Sequence, residues 1–182
     1  MDSIGVRFMY LETERMVLRE FTMDDLQDFH EIFSDPEVMK NTQLPYELSK
    51  PEDFLRDFCI NRDPKGGFAA VLKDSGKVIG YVLFTYVDDP EIYEIGWAFN
   101  KDYWRKGYAY EICYCLICFG FEDLYLHKIY AEATDFEKSV SMMKKLGMQL
   151  EGVQRKHTKS NEGEWCDLHL YAVLGEDFCR VV

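Results

Sequence analysis

The sequence predicts an α/β (α+β) fold in which helices flank a mixed sheet. Strand-like and helix-like segments follow one another in the order strand, two helices, three strands, helix, strand, helix, two strands, so both meander and crossover connections occur. The 182 residues, 47% of them hydrophobic, are enough for one sizeable core. We therefore expect a single domain over residues 1–182.

The first strand and the first two helices are recognised by their boundaries. Met16–Phe21 is strand-like, and Thr22 followed by Asp25 is typical of a capping box that begins helix one. Asp35–Pro36 ends that helix, because the residue before proline resists helical geometry. Ser49–Pro51 opens helix two, and the intervening loop 37–48 has no clear type.

Three strands follow a break at residues 63–67. They are predicted at Phe68–Leu72, Val78–Val87 and Glu91–Phe99, from their β-branched and aromatic content. In the third of them, Tyr93, Ile95 and Trp97 alternate with Glu94, Gly96 and Ala98 on the opposite face. Glu94 is the one acid in that alternation.

The second half of the chain alternates between the two element types before it ends in a hairpin. Helices are expected at Gly107–Glu122, which is apolar nearly all round, and at Ser139–Leu146, which Gly147 closes in a left-handed cap. The remaining strands are predicted at His127–Ala133, Met148–Thr158 and Trp165–Leu174.

Charge and composition narrow the class of partners. The net charge of −12 repels nucleic acid phosphates and attracts cations at long range, although an ordinary solubility surface explains it equally well. The longest apolar run, Ile112–Phe121, is too short to cross a bilayer, and the six cysteines form no regular framework. We therefore expect a cytoplasmic protein with reduced thiols that binds neither nucleic acid nor membrane.

The stretch from Glu94 to Glu111 carries the chemistry. It reads as a strand, a glycine-containing loop and a helix start, an arrangement that offers free backbone N–H groups and a positive helix end to a phosphate. Gly107 permits a close approach of the backbone, Ala109 leaves the first turn uncrowded, and Arg105 and Lys106 add positive charge. Taken alone, the pattern is a weak signal, and a plain loop with a solvated Arg-Lys pair is the favoured interpretation of it.

Beyond this local pattern, the stretch resembles the acetyl-CoA loop of the GNAT acetyltransferases, Q/R-x-x-G-x-G/A. Gly107 and Ala109 match its last two positions, whereas Trp104 stands in the Q/R place. That version is similar to the branch of ribosomal-protein alanine N-acetyltransferases. Other segments that resemble this branch are 11–15, 94–97, 144–148, 150–153 and 164–171, so the likeness covers residues 11 to 178.

The resemblance implies a fold and a cofactor site. It implies a mostly antiparallel sheet of about seven strands, splayed between strands four and five and flanked by about four helices. Acetyl-CoA would be the co-substrate, with its pantetheine arm along strand four and its pyrophosphate on the loop amides. The implied cofactor-binding residues are Trp97, Ala98, Phe99, Trp104, Arg105, Lys106, Gly107, Tyr108, Ala109 and Phe136, the last in place of an asparagine typical of the branch.

Amine acetylation needs a base and a proton donor. Glu94 is the candidate general base, because it is the acid in the strand that leads to the cofactor loop. A backbone N–H near Ala98 would stabilise the oxyanion. Ser139 is the preferred donor to the departing thiolate, with Tyr130 and Tyr103 as weaker options. A solvated or ion-paired Glu94 is the competing interpretation.

Three functions stay open on the sequence. One is an acetyltransferase acting on a protein N-terminus or a small-molecule amine; another is a catalytically silent acyl-CoA-binding domain of the same fold. A phosphate-loop nucleotide hydrolase is the weakest, because Gly-x-x-x-x-Gly-Lys-Ser/Thr is absent. An acceptor groove is expected near residues 41–46 and the last hairpin, in a monomer or a homodimer.

Overall fold

The computed structural model describes residues 10–40, 50–134, 138–160 and 163–178, and these form one eight-stranded sheet between helical layers. The strands are β1 (Tyr10–Glu12), β2 (Met16–Glu20), β3 (Phe68–Leu72), β4 (Val78–Tyr86), β5 (Ile92–Phe99), β6 (Lys128–Ala133), β7 (Gln149–Lys159) and β8 (Trp165–Leu174). The helices are α1 (Leu26–Phe33), α2 (Pro36–Met39), α3 (Pro51–Asp53, continued as a π-helix over Phe54–Ile60), α4 (Tyr108–Glu122) and α5 (Lys138–Lys145).

The predicted mixed, mostly antiparallel sheet is confirmed. Its order is β1-β2-β3-β4-β5-β6-β8-β7, and every neighbouring pair is antiparallel except β5 and β6. The sheet contains eight strands, not seven, because β1 is a three-residue edge strand too short to show a hydrophobic period.

Two element boundaries differ from the sequence expectation for local reasons. The Asp35 side chain accepts a hydrogen bond from the Glu37 N–H at 2.8 Å, so Asp35–Pro36 both follows α1 and caps the short helix α2. Helix two begins at Pro51 as predicted, but it widens into a π-helix from Phe54 onwards.

Hydrophobic residues pack on both faces of the sheet. On one face, α4 and α5 contribute Ile112, Leu116 and Met143 to a core that also contains Tyr93, Ile95 and Phe99 of β5. On the other face, α1 and the π-helix pack a second core against Tyr81 and Ala98. The predicted alternation along β5 is therefore correct, and it points the Glu94 side chain to the face that carries α1 and the π-helix.

Candidate active site

The sheet opens between β5 and β6. Their parallel pairing has three register pairs and ends at Glu94 with Tyr130, whereas β5 stays paired with β4 as far as Phe99. Beyond that point β6 pairs only with β8 on its other side. The implied splay between strands four and five of the sequence is thus present as the gap between β5 and β6.

Alternation of the backbone decides which groups of β5 face this gap. The Asn100 N–H donates to the Ile79 carbonyl in line with the β4 ladder, and the Lys128 N–H donates to the Glu91 carbonyl on the β6 side. Because alternate residues of a strand bond to the same neighbour, the main-chain groups of Trp97 and Phe99 point into the gap. Those of Ala98 point towards β4.

Trp104 joins the end of β5 to the following loop. Its indole Nε1 donates to the Phe99 carbonyl at 2.7 Å, and its ring packs against the hydrophobic cores of both sheet faces. This bond uses the Phe99 carbonyl and leaves the Trp97 carbonyl and the Trp97 and Phe99 N–H groups at the gap. The residue in the place of the family's Q/R therefore fixes the loop to the strand.

The loop before α4 is shaped as an anion site. Gly107 precedes the helix with φ at 83°, and Arg105 also has a positive φ of 61°. In the part of the chain that the structure describes, the N–H groups of Arg105, Lys106 and Gly107 have no hydrogen-bond acceptor. Exposed amides with left-handed residues at a helix N-terminus suit a phosphate or pyrophosphate group.

The side chains around this loop add charge and rigidity. The Lys106 ammonium lies 5.3 Å from the centre of the Tyr103 ring, and that ring lies 6.2 Å from the ring of Tyr108. Arg105 and Lys106 are exposed. Tyr103 thus supports the loop from the 3₁₀ helix Lys101–Tyr103.

Glu94 lies where the gap begins. Its register partners are Thr85 in β4 and Tyr130 in β6, and it is the last β5 residue paired on both sides. Burial, and secondarily the charge of Glu132, raise the pKa of Glu94 to about 7, although a hydrogen bond from Tyr130 opposes the shift. A carboxyl with this pKa can accept a proton at neutral pH.

Tyr130 and Glu132 lie on one face of β6, opposite to Ile129 and Ala131, and this is the sheet face to which Glu94 points. Burial raises the pKa of Tyr130 to about 12, with further contributions from the charges of Glu94 and Glu132. Tyr130 therefore keeps its proton at neutral pH and acts as a donor to Glu94. The sequence did not predict that Tyr130 and Glu132 lie close to Glu94, because their proximity depends on the register between β5 and β6.

The other predicted site residues are placed unequally. Ser139 lies in the first turn of α5, the helix that follows β6 and packs on the α4 side of the sheet. Phe136 and residues 41–46 of the expected acceptor groove lie outside the described residues. Arg15 was not assigned to the site from the sequence, because it contacts the loop from a position 91 residues earlier in the chain.

Comparisons with known proteins agree with this geometry. The sequence model of the acetyltransferase (GNAT) domain matches residues 15–149. Uncharacterized N-acetyltransferase YnaD of Bacillus subtilis is 35% identical over 172 residues, which cover 93% of this chain and 99% of that protein.

Solved structures show the same fold. The acetyltransferase (GNAT family) from Bacillus anthracis aligns with a TM-score of 0.81 and 33% identity, over 92% of this chain and 99% of that one. Ribosomal-protein-S5-alanine acetyltransferase from Vibrio fischeri aligns with a TM-score of 0.77 and 21% identity, over 94% and 100% of the two chains. None of the helices in the described parts of this chain is both long and apolar enough to span a bilayer. The chain belongs to the GNAT family and is an acetyltransferase.

Proposed function

We propose that this protein transfers the acetyl group of acetyl-CoA directly to a primary amine, with Glu94 as the general base. The observation that carries the proposal is the position of Glu94 at the last doubly paired residue of β5, with a pKa raised to about 7. An alkyl amine is mostly protonated at neutral pH. A base at this point removes the ammonium proton and so produces the neutral amine that attacks the thioester.

The thioester would lie in the β5–β6 gap. The pantetheine arm would pair with the main-chain groups of Trp97 and Phe99, which face the gap, whereas those of Ala98 point towards β4. The pyrophosphate would bind the amides of residues 105–109, at the N-terminus of α4. Phe136 would pack against the cofactor.

The chemical step then needs no acyl-enzyme. Glu94 takes a proton from the ammonium group directly or through water, and the amine nitrogen forms a bond to the thioester carbonyl carbon. An N–H of Trp97 or Phe99, the neighbours of Ala98, stabilises the oxyanion. The carbon–sulfur bond breaks, and the thiolate receives the proton of the Ser139 hydroxyl, which is replaced through water by the second proton that the attacking nitrogen loses. Glu94 releases its proton to solvent, and the products are the acetylated amine and CoA.

The acceptor would be a cationic amine. Glu94 and Glu132 lie on one face beside the gap, Asp88 is close enough to act on Tyr130, and the whole chain carries a net charge of −12. Such a field attracts ammonium groups. A protein N-terminus and a small amine are both cationic and so both meet this requirement. The proposal holds for a monomer and for a homodimer.

The test is CoA-thiol release from acetyl-CoA with a panel of N-terminal peptides, polyamines and amino sugars, followed by mass spectrometry of the acceptor. We expect acetylation of at least one class, and the class that reacts identifies the acceptor. A catalytically silent domain would bind CoA and acetylate none of them, and that result would overturn the proposal.

A further inference from the structure

Arg15, in the turn between β1 and β2, makes a dense set of contacts to the loop before α4. Its Nε donates to Glu111 Oε2 at 2.7 Å, and its Nη2 lies 2.6 Å from the same oxygen. Its Nη1 donates to the Lys106 carbonyl at 2.9 Å. The Arg15 backbone N–H also donates to Glu111 Oε1 at 2.9 Å.

The guanidinium also packs against the loop. Its Cζ lies 4.2 Å from the centre of the Tyr108 ring, and a Cβ added to Gly107 would lie 3.3 Å from Nη2. The Lys73 N–H donates to the Arg15 carbonyl at 3.0 Å, which ties Arg15 to the end of β3. The side chain is therefore anchored at its base and reaches residues 106, 108 and 111.

The bond to the Lys106 carbonyl fixes the direction of an amide. In a trans peptide the C=O and the following N–H point in opposite directions. Arg15 holds the Lys106 carbonyl on its own side, so the Gly107 N–H points away from Arg15. Without this bond the Lys106–Gly107 peptide could rotate and present a carbonyl oxygen to an anion.

The bond to Glu111 removes an electrostatic obstacle. Glu111 lies in the first turn of α4, where its carboxylate would repel a pyrophosphate bound at the helix start. Burial disfavours its ionised form, but hydrogen bonds from Thr13 and Arg15 outweigh burial and lower the pKa of Glu111. Glu111 is thus ionised at neutral pH, and the adjacent guanidinium offsets its charge.

We infer that Arg15 is a positioning residue for the pyrophosphate of acetyl-CoA, acting through the orientation of the Lys106–Gly107 peptide and the neutralisation of Glu111. The inference rests on the proposed use of the loop as the pyrophosphate site. Arg15 does not touch the reacting atoms, so it affects cofactor binding and leaves the acetyl-transfer step unchanged.

Arg19 is a matched control. It lies in β2, four positions after Arg15, and makes a bidentate pair with Asp25 through two bonds of 2.8 Å. That pair lies at the start of the 3₁₀ turn before α1 and includes no loop residue. Arg15→Met and Arg19→Met therefore each remove one Arg–carboxylate pair, and one of the two pairs reaches the pyrophosphate loop.

The experiment compares acetyl-CoA with acetylpantetheine, a thioester without the pyrophosphate. For Arg15→Met we expect the KM for acetyl-CoA to rise about 10-fold, the loss typical of one charged hydrogen bond, with kcat nearly unchanged. The kcat/KM for acetylpantetheine should stay at the wild-type value. Arg15→Lys keeps the charge without the planar fork, so its KM for acetyl-CoA should lie between those of the wild type and Arg15→Met.

Two results would overturn the inference: equal losses with both thioesters, or no loss in Arg15→Met. If Arg15→Met does not fold, the same comparison on Arg15→Lys decides. The Kd for CoA, measured by calorimetry, separates this inference from the proposed function. A higher Kd for CoA in Arg15→Met, with an unchanged Kd in Arg19→Met, supports the role of Arg15 even if no amine is acetylated.

Discussion

The two halves of β5 belong to one strand but meet different surroundings. Tyr93 and Glu94 pair with both β4 and β6, whereas the rest of the strand as far as Phe99 pairs with β4 alone. The doubly paired half ends in a half-buried carboxyl whose pKa is about 7. The open half ends in main-chain groups that face the gap and leads into the loop with exposed amides.

The two halves of β5 can therefore serve two roles, one as an open strand edge for a ligand and one as a rigid support for a side chain. Backbone N–H and C=O groups inside a sheet are normally paired, so an open edge in the middle of a sheet is a place where a ligand can complete the pairing. In the proposed mechanism, the paired half instead fixes the position of the general base, Glu94. Acceptor chemistry and cofactor binding can therefore be disrupted independently, and the following variants do so.

The largest effect is expected from Gly107→Glu, which acts on the open half. The substitution adds a carboxylate beside the loop amides and against Arg15, at a residue with φ of 83°. Because like charges at close quarters cost several kcal/mol, the Kd for CoA should rise at least about 100-fold. Calorimetric titration with CoA checks this.

Gly76→Glu is the matched control for backbone strain. Gly76 also has a positive φ, 71°, and a Cβ there would meet nothing within 4 Å. This variant should lose some stability but bind CoA as the wild type does. Equal weakening in both variants would show that strain, rather than charge at the loop, is responsible.

Glu94→Gln acts on the paired half and should lower kcat/KM about 100-fold at pH 8, the usual contribution of a general base. A base works in its ionised form, so wild-type kcat/KM should rise with pH through about 7, the pKa of Glu94. The variant should lack this rise. Initial rates from pH 6 to 9 measure both effects.

Glu91→Gln controls for the loss of an acid near the same strand. Glu91 is exposed and precedes β5, so its replacement should leave the pH profile unchanged. The Kd for CoA should be unaffected in both variants. A full wild-type rate in Glu94→Gln at every pH would remove Glu94 from the mechanism.

Features determined by neighbouring residues were predictable from the sequence. The alternation along β5 placed Glu94 on the correct face, and Gly107 marked the start of α4 to within one residue. Short elements were not predictable: β1 has three residues and α2 has four, and neither is long enough to reveal a period.

Features determined by distant residues were not predictable from local patterns. The contact of Arg15 with Lys106 spans 91 residues, and the register that brings Tyr130 beside Glu94 depends on the whole crossover through α4. Main-chain direction was missed for a related reason. Only the register of β4 and β5 shows that Trp97 and Phe99, and not Ala98, face the gap.

Trp104→Phe should have a smaller effect on the open half. It keeps an aromatic ring between the two cores but removes the Nε1 donor that bonds the Phe99 carbonyl at 2.7 Å. A freed carbonyl at the gap and a looser loop should raise the KM for acetyl-CoA about 3- to 10-fold, the range for one hydrogen bond. Steady-state kinetics measure the change, and an unchanged KM would show that the bond does not hold the loop.

Glu132→Gln should produce the smallest effect, confined to the paired half. After burial, the charge of Glu132 is the next cause that raises the pKa of Glu94. Removing a like charge stabilises the ionised form of Glu94 and lowers its pKa, so the rise in kcat/KM should move to lower pH by a fraction of a unit. At pH 6 the variant should therefore have a higher kcat/KM than the wild type. Asp74→Asn, the same charge change at an exposed turn residue, should leave the profile in place; a shift to higher pH in Glu132→Gln would mean that Glu132 does not act on the base through its charge.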